Sequence, residues 1–76
     1  MSESISLTLG RDEALVFFDW IVRFNKREHE QFADHAEQRV LWDIEAMLES
    51  SLVEPFDPAY DRLLSEARSR VKDPSE

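Results

Sequence analysis

The chain has no cysteine, one glycine and three prolines among its 76 residues, and only nine basic residues against seventeen acids. Each scarcity excludes something. Without thiols there are no disulfides and no thiolate metal sites, which suits a reducing compartment. A single glycine leaves no glycine-rich loop to cradle phosphate. No apolar run approaches the roughly 20 residues of a membrane span. The opening MSESISLTLG lacks the basic and apolar regions of a signal peptide. These absences predict a soluble, cytoplasmic protein with no membrane attachment.

What is present is a small, acidic, globular composition: 42% hydrophobic, 34% charged and a net charge of −8. A domain this short buries only about 60% of its unfolded surface, so its stability amounts to about a few kcal/mol. The charge is local. Between Glu28 and Asp61 there are ten acids and one base, Arg39, a net of −9. Such a surface repels phosphate backbones and anionic headgroups and steers basic surfaces towards it. Direct nucleic-acid binding is therefore not expected, and solubility alone also accounts for the acids.

The hydrophobic pattern predicts an all-α fold, a three-helix domain over residues 10–72 with a short extended N-terminal arm at 1–9 and a tail at 73–76. Ile5, Leu7 and Leu9 alternate with polar residues as a strand would, but no second strand is on offer, so the arm should lie over the helices. The first helix, about 11–27, opens at Gly10 and Glu13. Its apolar residues, from Ala14 to Phe24, cover most of its circumference and leave a narrow strip of Asp12, Asp19, Arg23 and Lys26. So apolar a helix should sit between the other two, with Trp20 in the core.

Asp34 and Glu37 read as a capping box opening a second helix, about 35–52. Val40, Leu41, Ile44, Met47, Leu48 and Leu52 form its apolar stripe. Asp57 and Pro58 suit the cap and first position of a third helix, about 58–72, with Leu63, Leu64, Ala67 and Val71 on its buried face. Phe56, between two prolines, should plug the core from the connecting loop.

The segments RDEALVFFDW, DHAEQRVLWDIEAMLES and LVEPFDPAYDRLLSEAR resemble a group of small uncharacterised bacterial helical proteins of unassigned function, over about residues 7–71. The resemblance implies a bacterial, cytoplasmic protein and brings no activity or site residue with it.

Three stretches could carry chemistry. NKREHEQFADHAEQ holds both histidines, His29 and His35, beside Glu28, Glu30, Asp34 and Glu37. Six residues apart, the histidines fall about 240° apart on one helix. That spacing matches no zinc pattern, so the stretch reads as a polar joint with no metal site. Paired carboxylates need a cleft that raises one pKa by burial, which three short helices rarely enclose. Ser50 and Ser51 have no histidine near them in sequence. No catalytic residue, no cofactor and no enzyme activity is expected.

Trp42 is different. Its neighbours on the helix surface, Gln38, Arg39, Glu45, Ala46 and Glu49, all lie outside the apolar stripe. A large aromatic ringed by polar groups suits an interface anchor. The alternative is a Trp42 covered by the arm through Ile5, Leu7 or Leu9. Two functions follow. One is an acidic, non-enzymatic interaction domain docking on a basic protein partner through Trp42, Glu45, Glu49, Arg39 and Gln38, as an inhibitor or neutraliser. The other is a homodimeric structural domain in which two copies bury their surplus apolar surface.

Overall fold

The computed structural model describes residues 3–27 and 33–73. Three α-helices, α1 (Arg11–Asn25), α2 (His35–Ser51) and α3 (Tyr60–Lys72), make up the domain, with a 3-10 turn at Glu54–Phe56 between α2 and α3. There is no strand among the described residues. The fold is all-α, as the periodicity predicts.

Local chemistry sets the helix ends. At the start of α1 the Gly10 N–H donates to the Glu13 carboxylate at 2.9 Å. Gly10 has no side chain to return the bond, so this is half a capping box. The helix closes at Asn25, short of residue 27, because the next amide tightens: Arg27 N–H donates to the Phe24 carbonyl three residues back at 3.2 Å. The α2 cap differs from the expected box in both partners. Asp34 Oδ1 accepts from Ala36 N–H at 2.7 Å, and Glu37 reaches past Asp34 to accept from Ala33 N–H at 2.8 Å. At the other end the Ser50 and Ser51 hydroxyls both donate to the Met47 carbonyl, adding side-chain bonds within the last turn. Asp57 does not sit at the N-cap expected of it: it closes the turn before the third helix, accepting from Ala59 N–H at 2.7 Å on Oδ1 and from Tyr60 N–H at 3.0 Å on its carbonyl, and Ala59 is the N-cap, without a side-chain bond. The regular helix then begins at Tyr60 rather than Pro58.

Helix α1 lies between the other two, each of which packs on it. Leu15 and Phe18 of α1, Leu64 and Ala67 of α3, and Leu52 just beyond α2 form the core, flanked by half-buried Val22, Leu48 and Tyr60. Ile21 is also fully buried. Burying each such Leu, Ile or Phe contributes about 1.5–3 kcal/mol.

The rotation of α1 is the main departure from the sequence reading. The two acids of its polar strip turn towards α3, while Arg23 and Lys26 stay exposed. Arg70 makes a bidentate pair with Asp12 (2.7 and 3.0 Å), and Asp19 accepts from Arg68 at 2.9 Å and from the Tyr60 hydroxyl at 3.3 Å. The first turn of α1 therefore lies beside the last turn of α3. At the same end Arg11 clamps Glu54 through two bonds of 2.7 and 3.0 Å. With Asp12 and Asp19 committed to α3, part of the aromatic side turns outward. Phe17, Trp20 and Phe24 stack in a row, with ring centroids 6.2 and 4.9 Å apart, and Trp20 is 42% exposed instead of buried.

Two further expectations fail for steric reasons. Phe56 is 70% exposed, because the 3-10 turn points it away while Leu52, two residues before that turn, fills the core. The arm does not lie over the helices: Ile5 and Leu7 are 88% and 86% exposed. Among the described residues the arm has no strand partner, and its Ile5 and Leu7 are packed against nothing.

Candidate functional site

Positions 38, 42, 45 and 49 recur every three or four residues, so α2 carries Gln38, Trp42, Glu45 and Glu49 along one flank. The flank faces the C-terminal end of α1 across a shallow groove of about 390 Å³. Val22, Asn25 and Lys26 form one wall, and Trp42, Glu45, Ala46 and Glu49 form the other. Trp42 is 49% exposed at the rim. Since Ile5 and Leu7 stand in solvent, the arm is not its cover.

The acids of this face differ in their freedom. Glu45 is half-buried and accepts from Asn25 Nδ2 at 2.7 Å, a bond that ties α2 to the end of α1. The Oδ1 of that asparagine is buried without a hydrogen-bond partner among the described residues. Glu49 is exposed and, among the described residues, makes no ion pair. Lys26 lines the groove without an ion pair within 4 Å to either glutamate. Gln38 is half-buried one turn before Trp42.

Arg39 stands apart. Its Nε lies 3.7 Å from Asp43 Oδ1, an exposed pair one turn apart that does not line the groove. The structure thus gathers Trp42, Glu45 and Glu49, leaves Arg39 outside, and adds Asn25 and Lys26. Those two come from the end of α1, and only the crossing of the helices brings them to the site. The one sequence signal for them was two polar residues closing an otherwise apolar helix.

The titrations that the fold perturbs lie elsewhere, on the α1–α3 seam and its end. Hydrogen bonding and charge from Arg70 hold the Asp12 carboxyl below its usual range, and Arg11 does the same for Glu54. Asp12 in turn raises Arg70. Burial, with the negative charge of Asp19, pushes the Tyr60 hydroxyl up to about 12. Both carboxylates move in the direction that keeps them ionised, opposite to the shift a general acid requires.

His35 begins α2 and is exposed, while His29 lies outside the described residues. No group of three histidine or acidic side chains among the described residues is placed to hold a metal ion. No helix among them is long and apolar enough to cross a membrane. Comparison with protein-family models, curated proteins and solved structures gives no match to this chain.

Proposed function

We propose that the chain is a non-enzymatic protein-interaction domain of a bacterial cytoplasm, docking through the Trp42 face on a basic protein partner as an inhibitor or neutraliser. The observation that supports it is a tryptophan half in solvent on a groove whose α2 wall also carries Glu45 and Glu49. A tryptophan stem supplies a large contact area at small entropic cost, and tryptophan is enriched among residues that dominate binding energy. Glu49 supplies an unpaired charge, and the net charge of −8 extends the attraction beyond contact distance. The cytoplasmic setting agrees with the absence of cysteine. The polar joint around His35 plays no chemical part in this reading.

The test is to recover proteins that bind the immobilised chain from a bacterial extract and then measure purified pairs. Trp42→Ala should weaken the relevant pair by about 2 kcal/mol, roughly thirtyfold in Kd, as truncation of an interface anchor does. Its own stability should change by about 1 kcal/mol or less, because half of the side chain is already in water. Glu49→Lys should slow association, and added salt should erase the difference. Partners that bind Trp42→Ala as tightly as the parent chain would reject the anchor.

A further inference from the structure

The second exposed tryptophan sits in different surroundings. Trp20 lies in a groove of about 510 Å³ formed with Val16, Phe17 and Val71, and closed at its edges by Glu13 and Arg23. The walls are almost wholly apolar, and the rim carries one acid and one base. The two rim charges balance each other.

Glu13 and Arg23 are ten residues apart on α1, about 15 Å along its axis and about 80° apart around it. The midpoint between them falls at the level of residue 18, with Phe17 and Trp20 on either side. Two antiparallel copies of α1 that cross at an angle about a two-fold axis at that level bring Glu13 of each copy to the level of Arg23 of the other, the crossing taking up the offset around the axis. An isologous interface needs this reciprocity, in which residue i meets j and j meets i. Both side chains have capacity left. Glu13 accepts from Gly10 through Oε1 alone, and Arg23 donates to Asp19 through Nε alone, among the described residues.

We propose that the Phe17–Trp20–Val71 face of α1 is the docking surface for a second copy of this chain, paired antiparallel with Glu13 and Arg23 as reciprocal ends. This inference stands apart from the Trp42 reading, since the two use different faces, and a dimer would leave the acid-flanked groove open.

Sedimentation equilibrium of the intact chain across the micromolar range tests it, alongside circular dichroism of every variant. The parent chain should form a dimer. Trp20→Glu should raise its dissociation constant at least about tenfold, equivalent to about 1.4 kcal/mol, whereas Trp42→Ala should leave it unchanged. Arg23→Glu should also weaken the dimer, and adding Glu13→Arg should restore it by exchanging the two ends. A second measurement leaves Trp20 in place: in Trp42→Phe, where Trp20 is the sole indole, dilution should shift its fluorescence to the red as it enters water. A monomer at every concentration, a dimer indifferent to Trp20→Glu, or emission unchanged on dilution would overturn the proposal.

Discussion

The α1–α3 half of the molecule and the α2 layer are held by different means. Between α1 and α3 the chain places Leu15 and Phe18 against Leu64 and Ala67, all buried, and edges them with the Asp12–Arg70 and Asp19–Arg68 pairs. Helix α2 is the longest of the three, yet none of its residues from His35 to Ser51 is buried. Its anchors are Leu52 beyond its end, half-buried Leu48, and the Asn25–Glu45 bond. Length and apolar content do not decide which helix carries a small fold. What decides is how much of the apolar stripe finds a partner, and much of the α2 stripe, including Val40 and Met47, does not.

The sharpest way to break this comparison is to truncate one apolar residue on each side. Phe18→Ala should cost about 3–5 kcal/mol, as aromatic truncations in cores do, and that is most of the stability of a domain this small. Met47→Ala, 60% exposed in the parent chain, should cost about 0.5 kcal/mol. Urea denaturation followed by circular dichroism measures both. Similar losses for the two would mean that α2 is as deeply held as α1.

A smaller effect is expected at the polar edge. The Asp19 carboxylate, 17% exposed, accepts from Arg23, Arg68 and Tyr60 at once. Asp19→Ala should lower stability by about 1–2 kcal/mol, within the range for hydrogen bonds to a charged group at a partly screened site. Glu45→Ala, which removes the Asn25–Glu45 bond between α1 and α2, should cost less. The reverse order would place the stronger polar link in the α2 layer.

The smallest effect concerns pH. The folded-state pKa values of Asp12 and Glu54 lie below their ordinary 3.8 and 4.5. Their contribution is therefore present above those ordinary values and lost as pH falls through the depressed ones. Tyr60 works in the opposite sense. Its contribution is full below its ordinary 10.0 and lost as pH rises towards about 12. The urea midpoint should therefore decline at both extremes. Asp12→Asn with Glu54→Gln should flatten the acid limb, and Tyr60→Phe the alkaline one. An acid limb unchanged in the double variant would assign it to other carboxylates.

Much of the fold is legible in the sequence because its signals are local. The apolar periodicity of Leu15, Phe18, Leu64 and Ala67, the cap at Asp34 and the turn at Asp57 depend on neighbours a few residues away. What is not legible depends on long-range partners. Asp12 and Asp19 form a strip that looks solvent-facing, and only arginines 58 and 49 residues further along the chain turn it into a seam. Once that seam sets the rotation of α1, Trp20 is left outside, although no local pattern separates it from Phe18. Of the Trp42 face, the aromatic and its acids could be read from their place off the stripe. Asn25 and Lys26 could not, because the angle between α1 and α2 brings them there.

The attachment of α2 has a mechanical consequence. Its deepest hold, Leu52, lies at one extremity, so the helix is a lever with its pivot at the C-terminal end. Trp42 is ten residues from that pivot, about 15 Å along the axis. A swing of about 5° about Leu52 therefore opens or narrows the groove beside Trp42 by about 1 Å, a displacement that follows from the helix rise alone. Two contacts resist such a swing: Leu48 packs against the core, and the 2.7 Å Asn25–Glu45 bond spans the groove itself. The Asn25–Glu45 bond is thus a strut across the Trp42 groove, and it sets how far the free part of the lever stands from α1.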